Sequence, residues 1–525
     1  MISMKLYLDI DGVLLHPKED KAAEHAAELI EYITSEFDCY WLTTHCKGDS
    51  GPAVQYLSEY FPERIVEKVT KIKPTYWETL KTEAIDFDSN FIWLDDYPFQ
   101  AEKEVLRNFA ASESLYTVNL SRENELLNVL EYLKCIKAKR RKRRMIVLSV
   151  FITLILSIIV AKCVWMGVAN RNIGDFATEK EDILMRRDYL IDKIITNPED
   201  LIAAMPEAVG PQFQGEWALY SASMLSAALT NIVHIYPETR EDAITQIDSL
   251  IKIVMSPELR RYDSDRWGED PLETLDGDES HISYLSHLAW MISGYKQVGG
   301  DNRYDDLYKK LCEAMNRRIL LSPHLNIPTY PGELIYVPDM LVAIVALSNY
   351  SKQNNGEYLQ TVLAWESEMQ NNWIDKDSGL ILSYLPEYED WGVNIPAKGS
   401  YSALSCYYLT FVDEEFAREQ YTRLKDHFHQ GRPVAGFKEY YDRKCWFGFD
   451  IDAGPIIFNL SPTGTAFGLG PATYFNDHEV RNGFLKTAEL AGFTVTKNGK
   501  RHYLLADIAL VGEAIALAMR TAVRW

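Results

Sequence analysis

The 525-residue sequence predicts a multidomain chain: an N-terminal α/β, Rossmann-like three-layer domain, one transmembrane helix, and a C-terminal all-α toroid of six helical hairpins, (α/α)6. Three patterns carry that prediction. Short apolar runs alternate with helical stretches over residues 1–136, the mark of a parallel sheet with crossover helices. Met145–Ala161 has no charge and only Ser149, Thr153 and Ser157 as polar side chains. From residue 179 onward, helical stretches come one after another in pairs with almost no period-two alternation.

In the first part, Met4–Leu8 reads as a strand that runs into Asp9-Ile10-Asp11-Gly12-Val13. A helix is expected over Ala22–Ser35, then a strand, Cys39–Leu42, ending at Thr43-Thr44. A third strand, Asn90–Leu94, ends at Asp95-Asp96. Ligands of parallel sheets bind beyond the carboxyl ends of the strands, so the three polar clusters are expected at one edge. Together they offer what phosphoryl transfer requires. Carboxylates hold Mg²⁺, one of them attacks phosphorus, and hydroxyl and ammonium groups take the phosphoryl oxygens. Alone, Asp-x-Asp-Gly would be an ordinary acidic turn.

These residues resemble the haloacid dehalogenase superfamily of phosphatases and phosphotransferases. Its four motifs match Asp9–Val13, Thr43, a lysine and Asp95-Asp96. Lys73 is the best match for the lysine, with Lys71 and Lys81 as rivals. The resemblance implies that Asp9 is the nucleophile and that Asp11 is the acid/base. It implies Mg²⁺ as cofactor, held among Asp9, Asp11, Asp95 and Asp96, and a phosphorylated substrate bound by Thr43 and Lys73. Only 33 residues separate Asp9 from Thr43 and 29 separate Thr43 from Lys73. Neither gap holds a cap domain, which in this superfamily goes with large substrates. A retained fold without activity is the alternative.

Residues 137–144 carry seven cations, from Lys137 to Arg144, against one end of the apolar stretch. Seventeen residues at 1.5 Å rise give about 25 Å of helix, and continuing to Val168 completes a bilayer span over 145–168. Lys162 sits near the far end, where its stem reaches the headgroups. The cations place the N-terminus in the cytoplasm, and the 170–525 domain outside it. The bilayer is thus the first expected partner. Net charge is −12 before the cluster and −17 after it, so bulk charge gives no reason to expect nucleic acid. The seven cysteines show no CxxC and no zinc spacing, and only three lie beyond the span, which argues against a disulfide-built scaffold.

Beyond the span, helices are expected at Glu179–Thr196, Ala218–Ile235, Arg240–Met255, Ser280–Gln297, Arg303–Leu320 and Pro338–Gln353. Six more are expected at Gly356–Asn372, Tyr401–Leu409, Asp413–His427, Gly464–Tyr474, Asp477–Ala491 and Leu504–Arg524. Asp278–Leu285, Gly399–Leu404, Asp450–Pro455 and Ser461–Ala466 resemble the linalool dehydratase/isomerase-like family, which has this barrel. That resemblance makes His281 the position to compare with the family's pocket histidine. The family enzyme's pair of pocket cysteines has no counterpart between Cys312 and Cys406.

His281 comes after two acids at a helix start and is read either as catalytic or as a capping-region residue. Asp450 and Asp452 form an acid/base pair with Glu333 or His281, or else cap the next helix. Tyr330, Glu333 and Tyr336, with Asp339, form an aromatic and acidic cluster suited to a sugar or small hydroxylated organic. Asp375–Gly379 lacks the acid that would complete a Ca²⁺ loop and reads as a turn. Ser461–Gly470 reads as close helix packing. The expected activity of this part is that of a lyase, isomerase or hydrolase. The alternative is a non-catalytic ligand-binding or sensing domain whose occupancy is reported to the first, and a third reading leaves the first an uncoupled fusion.

Overall fold

A computed structural model gives the fold. It describes residues 4–17, 19, 21–169, 173–198, 201–203, 205–206, 210–385, 397–450 and 453–525; for 141, 143, 144, 168 and 169 it describes the backbone alone. The chain forms two compact units, residues 1–158 and 159–525.

The first unit runs β1 (Lys5–Leu8), α1 (Ala26–Glu36), β2 (Asp38–Trp41), α2 (Gly51–Ser58), α3 (Glu63–Val69), β3 (Phe91–Asp95), α4 (Gln100–Asn108) and β4 (Leu115–Thr117). Then α5 begins at Glu125 and continues to Ala169. The four strands are parallel in the order β2-β1-β3-β4. Alternate residues face opposite ways. Leu6, Leu8, Ile92 and Leu94 meet Leu29, Ile30 and Ile33 of α1 and Val129, Leu130 and Leu133 of α5. Tyr7, Phe91 and Trp93 meet Leu106 of α4 on the other face. A sheet covered on both sides has apolar residues at every position, so its strands read as short apolar runs. Leu8→Ala would open a cavity at the centre and cost about 2–5 kcal/mol.

The second unit begins with α6 (Phe176–Ile194), α7 (Pro211–Ile235), α8 (Arg240–Val254), α9 (Pro257–Trp267), α10 (Ile282–Gln297) and α11 (Asp305–Leu321). It continues with β5 (Ile335–Tyr336), α12 (Val337–Gln353), α13 (Leu359–Asn372), β6 (Tyr384–Leu385), α14 (Gly399–Leu409), α15 (Glu414–Phe428), β7 (His429–Gln430) and β8 (Gly436–Phe437). It closes with β9 (Phe447–Asp450), β10 (Gly454–Ile457), α16 (Pro462–Tyr474), α17 (His478–Gly492), β11 (Thr494–Lys497), β12 (Lys500–Tyr503) and α18 (Leu510–Arg520).

Six helices close a ring: α7 packs on α10, α10 on α12, and so on through α14, α16 and α18, which returns to α7. A helix flanked on all sides has no use for a polar stripe, and α12 is buried from Val337 through Ser351. Glycine allows the close approaches: a Cβ on Gly468 of α16 would collide with the Phe437 ring. The outer helices α8, α11 and α15 bury one stripe each and expose the rest.

The fold class expected from the sequence needs correcting on two counts. The second unit is not all-α, because β5–β6, β7–β8, β9–β10 and β11–β12 form two-stranded antiparallel ladders. Strands of two to four residues are too short to show a period of two. Nor does one helix alone satisfy the length and hydropathy of a span. Glu125–Gly167 does, with mean hydropathy 2.6 and none of its apolar window buried; Pro211–Ile235 also does, with mean hydropathy 1.3 and 83% buried. Burial separates them, since α7 spends its apolar surface on the ring core.

Candidate functional site

Asp9 leaves β1 between the ends of β2 and β3. Its N–H donates to the Leu94 carbonyl (3.1 Å), and the Leu42 N–H donates to the Leu8 carbonyl (2.8 Å). The Asp9 carboxylate is oriented by the Ile10 N–H (2.7 Å), and that of Asp95, the last residue of β3, by the Tyr97 N–H (3.0 Å). Asp96 is the next residue, and a Cβ on Gly12 (φ +74°) would collide with its carboxylate, so that turn requires glycine. Asp9, Asp95 and Asp96 each offer an oxygen within 4.8 Å of the others. Burial, reinforced by the Asp9 carboxylate and opposed by Lys81, pushes Asp95 up to about 7. Burial and Asp9 raise Asp96 as well.

The ammonium at this cluster belongs to Lys81. Its Nζ bonds Asp9 Oδ2 and lies 2.5 Å from Asp95 Oδ2. Burial works against its charge, but the two carboxylates outweigh burial and raise its pKa. Lys73 is elsewhere. It pairs beside β2 through the Trp41 N–H to its carbonyl (2.9 Å), and its Nζ reaches Asp38 (2.7 Å), where β2 begins. That is the opposite edge of the sheet from Asp9. Thr43 is fully buried at the carboxyl end of β2, with its Oγ1 accepting from the His45 N–H (3.4 Å).

Asp11 lies outside the carboxylate cluster. His45 Nε2 is 2.8 Å from its Oδ2, and the Tyr56 hydroxyl donates to its Oδ1 at 3.4 Å. The His45 ring stacks on Tyr56, centroids 4.2 Å apart. Neither His45 nor Tyr56 stood out in the sequence. His45 lies two residues beyond Thr43, and that proximity was the available signal.

In the second unit, buried polar side chains come from the N-terminal and middle turns of the ring helices. Glu216, Tyr220 and Ser223 come from α7, Ser283 and His287 from α10, Asp339 from α12 and Ser402 from α14, with Tyr262 and Arg266 from α9. The Arg266 guanidinium lies 3.4 Å from the centre of the Tyr330 ring, with Nη2 3.6 Å from Glu216. Tyr330 shares a hydrogen bond with Ser283 (3.0 Å), and Tyr220 donates to Asp339 (2.8 Å). His287 Nδ1 meets Ser223 Oγ at 2.8 Å. Glu216 Oε2, Arg266 Nη1, His287 Nε2, Ser286 Oγ and Ser402 Oγ are buried without a hydrogen-bond partner. Burial, relieved in part by Arg266, pushes Glu216 up to about 8, and burial lowers His287 to about 3.

His281 sits just before α10 at φ +46° and is fully buried. Its Nδ1 is 2.5 Å from Asp263 and its Nε2 3.4 Å from Glu269, so both ring nitrogens face carboxylates. Burial raises Asp263, and the His281 contact opposes that rise. Glu333 is exposed and acts on Glu216 through its charge. Tyr336 stacks on Tyr401, centroids 5.9 Å apart. Asp450 is held by Lys398 (2.9 Å) and the Tyr440 hydroxyl (3.0 Å). Asp452 lies outside the described residues.

No family model matches the chain, and no curated protein matches it. Among solved structures it is similar to a glycoside hydrolase from family 105 of C. acetobutylicum ATCC 824. The two are 11% identical with a TM-score of 0.41, over 57% of this chain and 92% of that one. That likeness assigns neither a family nor an activity.

Proposed function

We propose that residues 1–136 form a phosphate-ester hydrolase of the haloacid dehalogenase type, held at the cytoplasmic face of a membrane by a single span. The observation that carries this reading is the convergence of Asp9, Asp95 and Asp96 at one sheet edge, with Lys81 between Asp9 and Asp95. The donor set fits Mg²⁺. Oxygens sharing one octahedral Mg²⁺ lie about 3–4 Å apart, and two of these carboxylates, Asp9 and Asp95, already hold a cation in the form of an ammonium. When bound there by Asp9, Asp95 and Asp96, the ion would supply positive charge against the phosphoryl oxygens.

The chain's own groups do the rest. Asp9 presents its carboxylate for attack on phosphorus, oriented by the Ile10 N–H and forming an aspartyl-phosphate. Lys81 is within reach of the phosphoryl oxygens once it shares Asp9 with a substrate. Asp11, half-buried and backed by His45, gives its proton to the leaving oxygen and then takes one from water. Asp9→Asn should abolish turnover of an aryl phosphate by the full chain in detergent; unchanged turnover would remove the assignment.

A second reading concerns residues 170–525, which would lie outside the cytoplasm in the orientation that the cationic fringe at 137–144 favours. The buried polar atoms of Glu216, Arg266 and His287 that lack a hydrogen bond favour a small hydroxylated organic or sugar as ligand. Incubation with a panel of polyols and sugars distinguishes the possibilities. Product formation lost in Glu216→Gln indicates catalysis, ligand recovered unchanged indicates sensing, and no binding to either variant contradicts a ligand site.

A further inference from the structure

The last turns of the apolar helix, from residue 159 onward, belong to the second unit and pack against its surface. Lys162 Nζ lies 2.7 Å from the centre of the Phe493 ring and donates to the Glu489 carbonyl at 3.4 Å. The Trp165 ring packs on Phe493 with centroids 5.2 Å apart. Lysine and tryptophan are the residues that anchor a span at the water boundary, so this contact fixes Phe493 at headgroup depth.

The surface around that point is apolar. Phe493 precedes β11, and across the ladder the Leu504 N–H donates to its carbonyl (2.9 Å). Phe493 is 47% exposed, Leu504 50%, Leu505 53% and Ile508 64%. Four large apolar side chains this open, within one turn and its ladder neighbour, exceed the scattered singles of an ordinary surface. The acid among them, Asp507, is directed to the Tyr189 hydroxyl (3.3 Å) and His502 (3.4 Å). The tip of the same hairpin carries Lys497, Lys500 and Arg501. Beneath it, Arg186 binds Glu513, Glu489 and Thr494 in a buried network, which makes the platform rigid.

We infer that Phe493, Leu504, Leu505 and Ile508 rest in the bilayer surface around the point where the span emerges, making the second unit a membrane-seated body rather than one tethered above the lipid. The partner is the lipid itself, because the patch is continuous with the lipid-facing helix through Trp165 and Lys162. This seating rests on α5 crossing the membrane, and cleavage just beyond the span separates the two.

The full chain, with a protease site inserted after Ala169, is reconstituted in phosphatidylcholine/phosphatidylglycerol vesicles and floated before and after cleavage. The comparison is with Leu504→Asp/Leu505→Asp/Ile508→Asp, which leaves Phe493 and its helix contacts in place. Before cleavage both should float; failure there removes the spanning helix and this inference with it. After cleavage the wild-type body should stay with the vesicles, while the triple variant is released at least about tenfold more. Equal retention or equal release of the two overturns the inference. Should the triple variant lose its fold by circular dichroism, Leu505→Ser/Ile508→Ser replaces it, and the same comparison decides.

Discussion

At the scale of single residues, two lysines make the sharpest contrast. Lys81 bridges Asp9 and Asp95, whereas Lys73 pairs with Asp38 at the far edge of the sheet. Lys81→Ala should therefore lower kcat for an aryl phosphate by about 10²–10³-fold, the size of losing a preorganised charge donor. Lys73→Ala should leave it within about twofold; the reverse ranking would sink the site geometry. His281 belongs to a different account. With both nitrogens engaged and no exposed surface, it acts as a joint between α9 and α10. His281→Ala takes away the hydrogen-bond partner of buried Asp263, leaving it only the charges of Arg266 and Arg318, and should cost about 3–5 kcal/mol of stability by chemical denaturation. Full stability in that variant would reopen a catalytic role.

Glu216 supplies the pH dependence. Its carboxyl is raised from 4.5 to about 8 by burial, so the folded state holds a proton that the unfolded state has released. That contribution is whole below pH 4.5 and is lost as pH rises through about 8. Glu216→Gln should remove this slope. Because about a fifth of the side chain remains exposed, the difference between wild type and variant should change by about 2–4 kcal/mol between pH 5 and 9. Parallel stability curves would show that Glu216 is ordinary.

At the scale of elements, the legibility of the sequence tracked the length of each pattern. The strands β1, β2 and β3 were readable because a buried parallel strand is an apolar run, and each ended in the polar cluster that marks its carboxyl edge. The weakly apolar β4 and the short helices α2 and α3 gave no comparable signal. Lys81 was legible only as one of three candidates, since it sits on a single 3-10 turn with nothing in its flanks to show its direction. In the second unit, α9 went unseen because Pro257–Trp267 is dominated by charge, yet it delivers Arg266 and Tyr262 to the polar cluster. The apolar centre of α5 carries its own prediction. Ile155→Arg places a charge mid-span and should reduce the membrane-inserted fraction by an amount equivalent to about 2.5–3.5 kcal/mol. Equal insertion of wild type and variant would contradict a span.

At the scale of the whole molecule, the chain divides its work. One unit gathers acids and an ammonium at a sheet edge, the other buries polar groups among the helices of a ring, and the apolar helix is common to both. The proposed orientation, drawn from the basic segment, predicts that external protease on intact cells leaves residues 1–136 whole and digests only the part beyond the apolar helix. The central claim is that Asp9 carries phosphate. The most direct measurement is mass spectrometry of the full chain, acid-quenched during Mg²⁺-supported turnover of an aryl phosphate. The account predicts phosphate on the peptide holding Asp9 and none in Asp9→Asn, which also ceases to turn over. Continued hydrolysis in Asp9→Asn, or phosphate confined to another peptide, would contradict it.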